Sequence, residues 1–141
     1  MKRAMTVRKA RGFTLIELVI AIAVIALLTV VAYPSYRQHL IRASREAAKS
    51  ELVDFAALQE KIYLNSDAYA SSVTGAYTGN AAGGLGRTSG KTNDGKYSMS
   101  LVTAAQSFTM TATPVTGSLQ VGDGNLAISS DGTRTWGSKI W

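Results

Sequence analysis

The chain has 141 residues, a formal net charge of +6 and no cysteine. That length holds one modest domain and an appendage, and the missing thiols exclude a disulfide framework and a thiolate metal site while fitting an oxidising or a reducing compartment alike. Lys2, Arg3, Arg8, Lys9 and Arg11 put five positive charges into the first twelve residues, leaving +1 for the rest, which carries no excess of the kind that drives phosphate binding.

After this basic leader the chain turns apolar. From Phe13 to Tyr33 the only charged residue is Glu17, and at about 1.5 Å per residue the run reaches about 31 Å, the depth of a bilayer's hydrocarbon. A cleaved secretory signal is the competing interpretation, since Ala21-Ile22-Ala23 has the small-x-small pattern. Against it, the apolar run continues ten residues past Ala23 and an acid sits inside the supposed core. The dense, acid-free leader favours a cytoplasmic N-terminus over the mixed charges that follow the span, placing the body outside. Glu17 itself has two interpretations: a carboxylate one turn deep that snorkels to the headgroups, or an intramembrane acid that expects a cation or hydrogen-bond donors.

The string "RGFTLIELV", with a basic leader ending in Gly12, then Phe13, Thr14 and Glu17 as the fifth residue from the junction, resembles the processing site of type IV pilins. Pro34 falls where that family has a proline near the end of the span. The resemblance implies a prepilin peptidase that cuts between Gly12 and Phe13 and N-methylates the new Phe13 amine. It also implies that Glu17 pairs with the Phe13 amine of a neighbouring subunit. Two unlike charges that are each costly in lipid then neutralise one another only in register, which specifies assembly more than it adds stability.

Past Pro34 the pattern becomes periodic. Ile41, Ala48, Leu52, Phe55, Gln59 and Ile62 follow a 3.6-residue spacing, so an amphipathic helix is expected over 35–64, bent or locally melted at Pro34. Arg37, Arg42, Arg45 and Lys49 are interleaved with Glu46, Glu51 and Asp54 as a solvated face. His39 has no second histidine and no cysteine to join it in a metal site. The stretch "RASREAAKSELVDFAALQEKIYLNSDAYA" is similar, more loosely, to the PilE-type minor pilins, where a charged helix runs into a tyrosine-rich loop.

Residues 65–95 are rich in Gly, Ser, Thr, Asn and Ala and predict a long connection. Within it "GLGRTSGKT" mimics a phosphate loop, but Leu85 stands where the motif needs glycine, and Ser89 likewise breaks the dinucleotide pattern. From residue 96 the period is two: Tyr97, Met99 and Leu101, then Phe108, Met110 and Ala112, then Leu126 and Ile128. Asp131-Gly132 predicts a two-residue hairpin turn into "TRTW". About four antiparallel strands would then lay one apolar face on the helix. Trp136 is expected to close that core, and Trp141 is either a plug or an exposed contact. Asp123, Asn125 and Asp131 are oxygen donors without a dense calcium-loop spacing, and turn chemistry accounts for all three.

The expected architecture is α+β: a cleaved leader 1–12, a membrane and filament-core helix 13–34, an amphipathic half 35–64, a loop 65–95 and a sheet 96–141. No nucleophile, base and orienter set presents itself, so no enzyme, cofactor or metal is expected. What the resemblance implies is a structural subunit of a type IV pilus, a minor pilin that primes or supports assembly of pili used in twitching, adhesion or DNA uptake. Its implied partners are other pilins, prepilin peptidase, the inner-membrane assembly machinery and, before assembly, the bilayer. No specific nucleic acid is expected. A major pilin or a type II secretion pseudopilin is the alternative within the class, and a membrane-anchored ligand- or DNA-binding module the alternative outside it. The implied location is the inner membrane, single pass with a periplasmic C-terminus, then the extracellular filament.

Overall fold

The computed structural model describes residues 12–141, so the leader through Arg11 lies outside the described residues. Helix α1 (Leu15–Ser66) holds Pro34 inside it. Pro34 and its neighbours are helical, so the local melt is not the form this chain takes on its own; an internal proline costs a helix about 3 kcal/mol and leaves one carbonyl without its donor. Two compact units divide between Tyr36 and Arg37. In the first, every described residue is exposed, with Phe13 at 86 % and a run of Leu, Ile and Val after it. Water would be a poor neighbour for so contiguous an apolar surface.

In the second unit the helical periodicity becomes a buried stripe of Ser44, Ala48, Leu52, Gln59 and Ile62. Against it lies a five-stranded antiparallel sheet in the order β1-β2-β3-β4-β5: β1 (Tyr97–Ala104), β2 (Ser107–Pro114), β3 (Leu126–Ser129), β4 (Arg134–Trp136) and β5 (Lys139–Ile140). The alternation holds as expected, because Tyr97, Met99, Phe108, Met110, Ala112, Leu126 and Ile128 are all buried on the helix side. The register pairs Met110 with Leu101 and Ile128, and Ala112 with Met99 and Leu126, so the three longest strands present one apolar face.

The strand count of about four falls one short because β5 is only two residues long, too short for periodicity to register. The turn at Asp131-Gly132 also differs from the expected one. Ile128 pairs with Arg134, and Ser129 N donates to Thr133 O at 3.0 Å, which leaves Ser130, Asp131 and Gly132 in a three-residue loop. Gly132 at φ +84° supplies the left-handed residue that follows a type I turn. The two-residue turn comes one hairpin later: Trp136 pairs with Lys139, and Gly137 has φ +56° at the first central position, as a type II′ turn requires.

The connection from helix to sheet is folded on itself. Asp67 at φ +53° ends α1 with its N–H on Tyr63 O at 2.8 Å, an αL cap in which aspartate takes the place usually given to glycine. Buried Gln59 then fixes the exit, donating from Nε2 to Ala70 O at 2.8 Å and accepting from Ala70 N at 2.9 Å. Ala70, Val73 and Leu85 enter the core. Leu85 N donates to Ser72 O, Gly84 N to Ala76 O and Gly86 N to Gly75 O, so the loop doubles back. A Cβ on Gly84 would meet the Gly75 backbone at 2.5 Å. Gly84→Ala should therefore destabilise the head by about 1–3 kcal/mol, as overpacking against backbone does, and thermal melting of that variant checks it. Glu51 of α1 ties down the far arm through Arg87 Nη2 at 2.5 Å and Asn93 N at 2.9 Å. "GLGRTSGKT" thus spends its arginine on a carboxylate of its own helix.

Candidate functional site

Two places carry chemistry, one in each unit. At the start of the first, Gly12 has nothing within 4 Å of a Cβ built on it, and Phe13 is open. Thr14 and Glu17 form a capping box. Thr14 N donates to Glu17 Oε2 at 3.0 Å, Thr14 Oγ1 donates to the same oxygen at 2.9 Å, and Glu17 N returns a bond to Thr14 Oγ1 at 3.3 Å. Thr14 is the N-cap and Glu17 the N3 residue, so two of the helix's orphan donors are satisfied reciprocally. Sequence reasoning missed this although Thr-x-x-Glu before an apolar run is its signature. The acid therefore has donors within its own subunit, and its charge lies beside the positive end of the helix dipole. Among the described residues no cation supplies it with a full counter-charge.

In the head, Asp123 is the centre of a clasp. Its carboxylate accepts a two-pronged grip from Arg45, with Nε at 2.8 Å on Oδ2 and Nη2 on Oδ1, and Tyr97 Oη donates to Oδ2 at 2.6 Å. Buried Gln120 donates from Nε2 to Tyr97 Oη at 2.8 Å and to Ile41 O of α1 at 3.0 Å. The indole N–H of Trp136 donates to Asp123 O. Helix, first strand, β2–β3 loop and β4 meet in this one network. Burial pushes the Asp123 carboxyl up, but the hydrogen bonds and charge of Arg45 and the Tyr97 hydroxyl pull it down further, so it sits below the ordinary aspartate value. Burial pushes the Tyr97 hydroxyl well up, and its bond to Asp123 adds to that, which keeps it protonated and donating.

Around the clasp, cations gather on the two indoles. Arg45 Cζ lies 3.7 Å from the Trp136 ring centre, Lys139 Nζ 5.3 Å and Lys49 Nζ 5.9 Å. Arg134 Cζ and Lys49 Nζ are each 5.4 Å from the Trp141 ring, distances at which a ring quadrupole attracts a cation. Trp141 packs partly on the core, and its indole N–H donates to Thr135 O at 2.8 Å. It is a plug with an exposed side.

The oxygen donors that turn chemistry was expected to explain are engaged within the fold. Asp123 is committed to Arg45 and Tyr97, and Asp131 accepts from Thr133 N at 2.8 Å to close its own turn. Among the described residues no group of three His, Cys, Asp or Glu side chains is placed for a metal, and His39 is exposed.

With this geometry in hand, the likenesses to known proteins are specific. A model of the prokaryotic N-terminal methylation motif matches residues 7–33, the leader, the junction and the apolar helix. The type IV wide pilus major component PilA4 of Thermus thermophilus is 38 % identical over 65 residues, 46 % of this chain and 50 % of that protein. The chain thus spans about half the length of that curated relative. A family model described as "Type IV minor pilin ComP, DNA uptake sequence receptor" matches residues 34–124, well over half of the chain and most of the head. An apolar helix exposed at every described residue, a capped acid at its start and a helix-on-sheet head are the parts of a filament subunit, and the chain belongs to the type IV minor pilin family that this description names.

Proposed function

We propose that this minor pilin waits in the inner membrane on its uncovered helix half, is cut between Gly12 and Phe13 by prepilin peptidase, and is methylated on the Phe13 amine. It then enters the filament with Glu17 facing the Phe13 amine of the next subunit, in the helical, head-to-tail manner that identical interfaces allow. The observation that supports this most is the combination of a 21-residue apolar run with one acid at its start and the exposure of every described residue along it. Pro34 is the position at which we place any bend of the helix in the filament.

Mass spectrometry of the mature chain tests the processing. The expected N-terminus is Phe13 with one added methyl group, and Gly12→Val should leave the leader attached. Release of the leader from that variant as from the wild type would contradict the assigned cleavage.

We further propose that the head receives DNA during uptake, following the family's description as a DNA uptake sequence receptor. The contrary expectation of no specific nucleic-acid partner rested on a mature charge near zero. Net charge sums over the whole surface, however, and the attraction that steers DNA depends on where unpaired cations stand. Retention of duplex DNA by the full chain in detergent at moderate salt would support the proposal, and no retention at any salt would remove it. Abundance in sheared pili separates a minor subunit from a major one, the role that the Thermus relative's name records.

A further inference from the structure

The C-terminal ribbon of β4 and β5 lies beyond residue 124, where the family match ends. Its register gives it a definite pattern. Trp136 pairs with Lys139, and Trp141 N donates to Arg134 O at 3.3 Å one step along the same ladder. Side chains at 134 and 136 share a face, and their cross-strand partners share it too. Arg134, Trp136, Lys139 and Trp141 therefore alternate cation and indole on one side of the ribbon. That side continues the core face, since Trp136 pairs with Leu126 and Arg134 with Ile128. Lys49 reaches the same rings from α1.

We infer that this cation–indole face of the β4–β5 ribbon is the surface on which the head grips the phosphate backbone of duplex DNA. The inference rests on the reading that the head receives DNA and assigns that role to a place the family match does not cover.

Three observations carry it. First, Arg134 and Lys139 are exposed and no carboxylate pairs with either among the described residues, whereas Arg45 is held by Asp123 and Lys49 by Glu46. Two unpaired cations beside each other on a short ribbon are a local positive field that a net charge of +1 conceals. Second, the rings hold the cations near them, so less side-chain freedom is lost when phosphate binds. Third, both indole N–H groups are spent on Asp123 O and Thr135 O, and the rings are half-buried with cations against them. Open aromatic platforms of the kind that stack unpaired bases are not what this face offers. Phosphate contact to a duplex is what remains, and such contacts give affinity and register without reading sequence. Discrimination among sequences must then come from elsewhere on the head.

Trp136 and Trp141 are the chain's only tryptophans, so indole emission reports this face alone while anisotropy of a labelled duplex reports binding anywhere. With the full chain in a neutral detergent, both signals should move with one midpoint. Arg134→Ala with Lys139→Ala should weaken binding roughly tenfold at low salt and lower the slope of log K against log salt by about 1.8, equally for an uptake-sequence duplex and a scrambled one. The charge-preserving pair Arg134→Lys with Lys139→Arg should bind nearly as the wild type, which guards against misfolding as the cause. Lys61→Ala, on the exposed side of α1, should change little. Binding with silent indoles and an unaffected double alanine variant would overturn this surface and leave the DNA reading standing. Absence of any wild-type binding would remove both. Tighter binding to an unpaired strand than to the duplex would overturn the assignment to phosphate backbone.

Discussion

Glu17→Gln should give a chain that is cut at Gly12 and methylated on Phe13, yet is missing from sheared pili. The substitution separates two roles that one carboxylate combines. Glutamine serves at the N3 position of a capping box as glutamate does, so the bond from Thr14 N and the start of α1 survive. What glutamine lacks is charge. If the neighbour's Phe13 amine is desolvated in the filament core, removing its counter-ion leaves a buried charge alone, which costs about 3–5 kcal/mol, or about two to nearly four orders of magnitude in incorporation. Thr14→Ala is the complementary variant: it strips the N-cap and keeps the charge, at about 1 kcal/mol of helix stability. We expect it to lower pilus incorporation only modestly. Counting each variant in pili from cells without the wild-type copy decides the matter. Normal incorporation of Glu17→Gln together with loss of Thr14→Ala would mean that capping, and not pairing between subunits, is what the acid is for.

Local order was the legible part of this fold. Tyr97, Met99, Phe108, Met110, Leu126 and Ile128 announce their burial because a strand with one covered face must alternate. Ala48, Leu52 and Ile62 do so because a helix on a sheet must repeat every 3.6 residues. The methylation motif is legible for a different reason, being one contiguous string whose recognition needs no distant part of the chain. What stayed hidden is non-local or conformational. Nothing in the neighbourhood of Arg45 points to Asp123, which is 78 positions away, and both look like solvated surface until the chain is folded. The mixed charges after the span were expected to face water, yet Arg45 and Glu51 each tie a distant loop to α1. The Asp-Gly pair correctly marks a turn, but the loop length follows from where Ile128 finds Arg134, which only pairing decides. The ribbon face was half legible: Arg134-x-Trp136 and Lys139-x-Trp141 each alternate along the sequence, but only the register sets Trp136 opposite Lys139 and joins the two pairs into one surface.

Asp123→Ala should be the most damaging single change in the head. The chain has no cysteine with which to tie the β2–β3 loop and the C-terminal hairpins to α1, so that work falls to the clasp as well as to Trp136 and the hairpins. Arg45 and Asp123 are 15 % and 6 % exposed in their side chains, a largely desolvated pair. Removing the carboxylate strands the guanidinium, takes the acceptor from the Tyr97 hydroxyl, and leaves Gln120, whose Oε1 is already without a partner, in a looser site. The loss should come to about 3 kcal/mol, near the lower end for breaking a buried pair because some solvent still reaches it. For a head of this size that lowers Tm by roughly 10–20 °C. Replacing both partners, Arg45→Met with Asp123→Leu, should cost less than Asp123→Ala, since no unpaired charge is left behind. Acid should mimic the single variant. Because the folded carboxyl sits below its unfolded value, its contribution is complete above the ordinary aspartate range, near pH 4, and is lost as pH falls through the lower folded value. Trp136 reports the outcome directly, as its N–H rests on Asp123 O. Melting followed by indole emission should show the acid-induced loss in the wild type and not in Asp123→Ala. Equal melting temperatures for the two at neutral pH would show that the sheet holds this end without the clasp.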